Sequence, residues 1–372
     1  MMPATISSPL VAGVSSQRTS AHSGRIGEQQ SMMRVYRYDD FEGLDHLRIH
    51  EEEMPQPQRG ELLLRVHAVS LNYRDLAVVL GRYVQAARPG LVPASDAAAE
   101  VVAVGEDVEV FKPGDRVISA FNPRWFGGGL PATFVTDNYG TGTDGWLAEF
   151  KTVSQEAVVR LPDSLSYEEG ATLPCAAATA WGALAGPTPV RAGHTVLTQG
   201  TGGVSIFALQ LAKKLGAHVI STTSNPTKAE KLRSLGADEV INYSDIPQWG
   251  DRVKELTGGR GVDRVVEVGG PATVNQSLRA VAWGGEIVLI GFLTEKNPGM
   301  DYFVLKGSGV TIRSLAVGDR ANLEDLVRAV SLTGLRPVID RVFEFENARE
   351  AFVYLKDAGA TRIGKIVIRL SS

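Results

Sequence analysis

The stretch TVLTQGTGGVSIFALQLAKKLG, residues 195–216, restricts the fold more than any other part of the chain. A short apolar run feeds a turn built from Gly200, Thr201, Gly202 and Gly203, and Val204 leads on into a helical pattern. Glycines at 200 and 202 let the backbone turn tightly and come close to a bound group. A helix starting near Gly203 aims free N–H groups and the positive end of its dipole at that point. Set between two parallel strands, the arrangement suits a pyrophosphate. An ordinary tight turn without a ligand is the alternative. Ser205 stands where a third glycine is usual and is still small enough for close helix–strand packing.

The surroundings supply the parallel strands. From His194 onward, TVLTQ, AHVIST, EVINY, VDRVVEVG, EIVLIG and VTIRSL read as strands. Between them GVSIFALQLAKKLG, PTKAEKLRSLG, WGDRVKELTG and ATVNQSLRAVAWGG read as helices. This alternation predicts an α/β fold with a doubly wound parallel sheet of the Rossmann type. Upstream, ELLLRVHAVSL, AAAEVVAVG and VEVFKPGDRVIS are apolar or alternating runs broken by Gly and Pro, as in β structure. Residues 122–150 are dense in Gly, Pro and aromatics and read as a long surface loop. SYEEGATLPCAAATAWGAL reads as a linking helix. Beyond Val317 two helical stretches flank the strand VIDRVFEF, and GKIVIRL is the last strand.

At 372 residues the chain is long for one core, and two domains are expected. A net charge of −4 offers no basic field for nucleic acid, and no run of about 20 apolar residues suggests a membrane span. The single cysteine, Cys175, excludes an internal disulfide and any four-cysteine zinc site, and fits a cytoplasmic setting. The first 31 residues are rich in Ser and hold one acid, Glu28, so they are expected to form a disordered tail. A transit peptide, or a start at Met32 or Met33, are the other readings.

The second strand of the alternating region bears on the choice of dinucleotide. An acid at its end would hold a ribose 2′-hydroxyl, but Val219 to Thr227 contains none. Ser224 and Lys228 stand there instead, and Tyr243 ends the neighbouring strand. A hydroxyl, an ammonium and a phenol suit a 2′-phosphate, so NADP, with NADPH preferred over NADH, is the expected cofactor. A solvated helix start is the competing explanation.

SLNYRDLAVVLGRY, LVPASDAAAEVVAVGEDVEVFKPGDRV, LPCAAATAW, VLTQGTGGVSIFALQLAK, LGADEVINY, GGRGVDRVVEVGG and GKIVIRL occur in order from Met33 on. Together they resemble the medium-chain dehydrogenase/reductase superfamily, closest to its zinc-free quinone oxidoreductase-like members and to those labelled zinc-type alcohol dehydrogenase-like. The resemblance implies a GroES-like, β-rich catalytic domain from residues 32–161 and 318–372, a Rossmann domain over 162–317, an active site in the cleft, and a homodimer. Gly269, Ile290, Gly291, Phe292 and Lys365 are also expected at the cofactor.

Catalytic zinc in the superfamily needs three protein ligands. Their positions match Asn72, Ser95 (followed by Asp96) and Cys175, so one ligand of three remains and no metal is expected. Cys175 has no basic neighbour in sequence and reads as a packed remnant. Thr179, four residues on, shares its face if the segment is helical, and the resemblance places it against the nicotinamide.

Without metal, a developing oxyanion needs hydrogen-bond donors. Asn72 is the first candidate. Arg74 is either catalytic or paired with Asp75 or Asp96, and Tyr73 and Tyr83 are either proton donors or packing. Phe121, Trp125, Phe126 and Phe292 are expected to wall a pocket for a flat acceptor, although a loop also uses such residues to pin itself down. The expected activity is NADPH-dependent, zinc-independent hydride transfer to a quinone or α,β-unsaturated carbonyl. An alcohol dehydrogenase and a catalytically silent NADPH-binding protein are the alternatives.

Overall fold

A computed structural model describes residues 31–40, 43–85, 87–294 and 299–370. The expected tail, apart from Ser31, lies outside them. A six-stranded, wholly parallel sheet runs in the order Glu239–Asn242, His218–Thr223, Thr195–Gln199, Val262–Glu267, Val281–Leu289, Thr311–Ser314. In chain order that is 3-2-1-4-5-6, the doubly wound arrangement the alternation predicts. Successive strand residues feed opposite layers. Val196, Val266 and Val288 enter one core with the helix Gly203–Lys214, while Leu197, Val265 and Ile287 enter the other with Trp249, Val253 and Leu278. Burial on both faces is why these strands read as continuous apolar runs.

The second sheet holds seven strands, all but one in a single path. Ile339–Glu344 pairs in parallel with Lys365–Arg369, which pairs antiparallel with Glu61–Leu71. Asp96–Val104, Arg116–Ser119 and Val158–Arg160 follow in the path, and Phe150–Ser154 pairs beside Glu61–Leu71. The last strand of the chain therefore lies inside the sheet, not at its edge. With the α/β sheet, this gives the GroES-like and Rossmann architecture.

Two elements differ from the sequence reading. The helix expected over 272–285 ends at Ala280, and Val281 already begins a strand running to Leu289. The strand's pairing shifts register opposite Val262–Arg264, and Gly284 there has φ +75°, so the Gly pair marks an irregularity within a strand and not a helix end. A helix at Tyr302–Ser308 went unpredicted; none of its residues is fully buried, and only Val304 and Leu305 pack against the core, too short a stripe to show a helical period.

The linking segment is three pieces. A capping box between Ser166 and Glu169 starts the helix Tyr167–Ala171. A widened π-helical turn, Leu173–Ala177, holds Pro174 and Cys175 and passes into the helix Ala178–Ala185. Pro174 has no N–H, and the N–H of Cys175 leaves the helix to meet the Asp96 carboxylate at 3.1 Å. No helix among the described residues is long and apolar enough to cross a membrane.

Candidate active site

A cavity of about 430 Å³ opens at the carboxyl end of the parallel sheet. It is lined by the glycine turn on one side and by residues 71–76 on the other. Gly200 has φ +71°, a conformation that side-chain-bearing residues rarely adopt, and a Cβ there or at Gly202 would meet nothing within 4 Å. Gly202 caps the helix Gly203–Lys214 without a side chain, so no side chain competes for the N–H groups facing the cavity. Thr201, Gly203, Val204, Ile290, Gly291 and Phe292 line the same cavity. Gly269 does not. Its N–H is spent on Gln199 and on the buried Glu267, and Val268 lines the wall in its place. A nicotinamide dinucleotide fits this cradle: open glycines, a bare helix start, and a distal cationic end.

That distal end holds Ser224, Lys228 and Tyr243, as the sequence suggested, together with Arg362, which it did not. Asn225 caps the helix Pro226–Ser234, accepting from the N–H of Thr227 and Lys228. Lys228 Nζ donates to the Gly359 carbonyl at 2.8 Å. Burial, with the nearby Arg362 adding to it, pulls the Lys228 pKa down; burial does the same to Arg362. Two like charges thus share a partly dry corner, with the negative charge of Asp340 acting against the shift of each. Arg362 is far from Lys228 in sequence, so no local signal pairs the two.

The phosphate turn is stitched to the C-terminal segment. Gly364 N–H donates to the Thr201 carbonyl at 2.8 Å, and Thr201 Oγ1 donates to the Arg362 carbonyl at 2.9 Å. Lys365 follows, its stem crossing close over Gly203, where an added Cβ would lie 2.6 Å from Lys365 Cδ. Its ammonium lies beside the start of the helix Tyr73–Val79. Nζ donates to the Leu71 carbonyl at 2.8 Å and to Asn72 Oδ1 at 2.5 Å, and lies 4.0 Å from Asp96 Oδ2.

This contact turns the Asn72 amide. With Oδ1 on the ammonium, Nδ2 faces Ser95 Oγ at 3.3 Å. Ser95 Oγ donates onward to Asp96 Oδ1 at 2.7 Å. Asn72 lines the cavity as expected, with its amide orientation set, because a flipped amide would set its NH₂ against a cation. Burial pushes the Asp96 carboxyl up to about 6, against the pull of Lys365. Burial likewise pushes the Cys175 thiol well up and the Lys365 amine down.

The three positions that would carry zinc therefore hold an amide, a hydroxyl and a thiol beside an ammonium. Among the described residues, no group of three His, Cys, Asp or Glu side chains is placed to hold a metal. A fixed cation and two neutral oxygen or amide groups are a poor fit for a dication that selects thiolate and imidazole.

Arg74 is buried and locked. It donates to the Tyr139 carbonyl at 2.7 Å, to Thr141 Oγ1 at 3.0 Å and to Asp75 at 3.1 Å, anchoring the loop 122–150. Its guanidinium lies over the rings of Tyr83 and Phe121, at 5.0 and 5.3 Å. Phe292 packs on Tyr73 and Tyr83, at 5.7 and 6.1 Å, so Tyr73, Tyr83, Phe121 and Phe292 form an aromatic wall. Thr179 also lines the cavity, with Oγ1 donating back to the Cys175 carbonyl at 2.7 Å.

Trp125 and Phe126 are corrections. Trp125 packs edge-on against Phe134 at 5.5 Å, and Phe126 is exposed. Their carbonyls accept from Arg320 and Ala321 at the start of the helix Arg320–Thr333. The pair pins the loop to that helix and leaves the cavity to others.

Comparison with known proteins agrees with this architecture. The family model "Alcohol dehydrogenase GroES-like domain" matches residues 58–163, and "Zinc-binding dehydrogenase" matches residues 203–331. A zinc-type alcohol dehydrogenase-like protein of Schizosaccharomyces pombe is 38% identical over 91% of this chain and 99% of its own length. A quinone oxidoreductase of Pongo abelii is 28% identical over 92% and 99%. The solved structure of a Sinorhizobium meliloti 1021 protein assigned as an alcohol dehydrogenase superposes with a TM-score of 0.85 at 40% identity, covering 91% of this chain and 98% of that one. With both lobes, their order and the nicotinamide cradle in agreement, the chain belongs to the medium-chain dehydrogenase/reductase superfamily and is an NAD(P)-dependent oxidoreductase.

Proposed function

We propose that the chain is an NADPH-preferring reductase of quinones or α,β-unsaturated carbonyls that works without zinc. The observation that carries this reading is the set Asn72, Ser95, Cys175 and Lys365, which offers a fixed cation where a metal would need ligands. A conjugated carbonyl accepts hydride with modest electrophilic help, whereas an unactivated alcohol needs a stronger Lewis acid and a base. The aromatic wall of Tyr73, Tyr83, Phe121 and Phe292 suits a flat acceptor. The test follows NADPH consumption against quinones, enones and aldehydes, with and without chelator. Reduction of quinones or enones that survives chelation is expected. Alcohol or aldehyde turnover that requires added zinc overturns the reading in favour of an alcohol dehydrogenase, and a dead panel favours a silent dinucleotide-binding protein.

The cofactor preference rests on the Lys228–Arg362 corner, where a 2′-phosphate relieves repulsion between two cations. Lys228→Ala removes a charge-assisted contact and is expected to narrow the NADPH-over-NADH affinity ratio roughly tenfold or more. Tighter NADH binding by the wild type would overturn it. A cytoplasmic homodimer completes the proposal. The edge strand Thr311–Ser314 is open on one side and lies near exposed Trp283, Tyr302 and Phe303.

A further inference from the structure

We infer that Lys365 is the electrophile of the reaction: its ammonium meets the acceptor oxygen and gives it a proton as negative charge develops there. The inference rests on the reductase reading above and goes beyond it by naming the donor. An ammonium has three N–H bonds. Two point at the Leu71 carbonyl and Asn72 Oδ1, and Asp96 at 4.0 Å is beyond hydrogen-bond reach. One N–H therefore remains for a ligand, on a residue that lines the cavity yet has a side chain only 3% exposed.

Its neighbours hold that amine in place, and the net effect of its surroundings is to lower its pKa. Burial alone favours the neutral amine, and Arg362 adds to that. Asp96, Cys175 and Asp75 act the other way. Asn72, Ser95 and Asp96 form a chain of hydrogen bonds from the cation to a carboxylate, so the first amide is oriented at both ends. Backbone contacts set the depth. Lys365 N–H donates to the Val338 carbonyl at 3.0 Å, and the residue before it is bonded to the phosphate turn. The same turn that cradles the cofactor thus fixes the distance to the ammonium. Of the other donors nearby, Thr179 Oγ1 is spent on the Cys175 carbonyl and the terminal nitrogens of Arg74 on Tyr139, Thr141 and Asp75, while Tyr73 and Tyr83 line the aromatic wall.

For an enone, Lys365 acts while hydride from the reduced nicotinamide adds to the β-carbon. The carbon–carbon π pair shifts toward the carbonyl, and the C=O π pair moves onto oxygen. An N–H bond of Lys365 breaks as an O–H bond forms, leaving a neutral amine and an enol. Water then returns a proton to the amine, and the enol tautomerises to the saturated ketone. In sum, one hydride and one proton are consumed per acceptor, and the nicotinamide is oxidised.

The test compares the full-length wild type with Lys365→Met and Lys365→Arg. The first readout uses 4-nitrophenol and cofactor-free protein, following the visible absorbance of the phenolate against pH. A cation at the oxygen site holds the bound probe ionised at lower pH than in buffer. Lys365→Met is expected to abolish that shift and Lys365→Arg to keep part of it. The second readout is turnover at saturating NADPH, expected to fall roughly 10²–10³-fold in Lys365→Met. NADPH affinity, read by fluorescence, is expected to change much less. Should Lys365→Met fail to fold, the arginine variant and the wild-type probe titration decide. Bound nitrophenol with an unshifted ionisation sinks the inference, as does a Lys365→Met enzyme that loses NADPH affinity but keeps its saturated turnover. A wild type that shifts nitrophenol yet reduces neither quinones nor enones defeats the reductase reading and leaves Lys365 as an oxyanion holder.

Discussion

Cys175 shows how a residue's place in the fold decides its chemistry. Its thiol sits beside the carboxylate of Asp96, and burial raises the cost of the thiolate, the reactive form. Cys175 lines the cavity, so Cys175→Ala widens it by one atom beside an alanine-rich turn. We expect a loss on the order of 1 kcal/mol in unfolding free energy and little change in turnover; abolished turnover would reveal a bond made to sulfur. Asp96 has the more informative pH signature. Its carboxyl titrates near about 6 in the fold and near about 4 in an unfolded chain. Between those values the native state holds the extra proton, so stability is present at the acid end and lost as pH rises through about 6. Asp96→Asn removes that dependence. Urea unfolding at pH 4 and pH 7 should show the variant gaining on the wild type by about 1–3 kcal/mol across the interval; parallel curves would contradict the assignment. The sequence gives the identities of Asn72, Asp96 and Lys365 but not their arrangement. Lys365 is 293 residues from Asn72, and no local pattern sets which way an amide faces.

At the scale of elements, legibility follows burial. The inner strands of the parallel sheet are apolar on both faces, so they stand out from the amphipathic helices around them. Tyr302–Ser308 fully buries none of its residues and is too short to show a period, while Trp283–Gly285 looks like a helix end because turn residues sit inside a strand. A buried ion cluster ties several elements together. Glu286 forms an ion pair with Arg264 at 2.6 Å and accepts from Arg313 at 2.5 Å, joining three neighbouring strands. Arg264 also donates to the Ala183 carbonyl and Arg313 to that of Gly182, near the C-terminal end of the helix Ala178–Ala185, where cations are favoured. Removing one member leaves a buried charge short of a partner. Arg264→Met is expected to cost about 3 kcal/mol in chemical denaturation, and Arg313→Met less, because Arg313 is the more exposed of the two. The opposite order would show that the outer arginine carries the cluster.

On the scale of the whole molecule, the aromatic surface beside the last parallel strand stands exposed among the described residues. Trp283 is 77% exposed and Phe303 83% exposed. If two chains meet there, Trp283→Arg should shift the mass measured by light scattering from two chains toward one, with the fold intact by circular dichroism. An unchanged mass would place any interface elsewhere. The C-terminal strand, Lys365–Arg369, has a different reach. It follows every other described strand in the chain, yet it sits between Ile339–Glu344 and Glu61–Leu71 and brings Lys365 to the cleft. All six strands of the parallel sheet precede it. On the ribosome, that sheet can close while the other still lacks an interior member, so the N-terminal strands must wait for a segment some 300 residues downstream. The phosphate turn and the ammonium beside it thus come from stretches made far apart in time: a nascent chain with Gly200 to Gly203 already folded has no Lys365 in the cleft until residue 365 emerges.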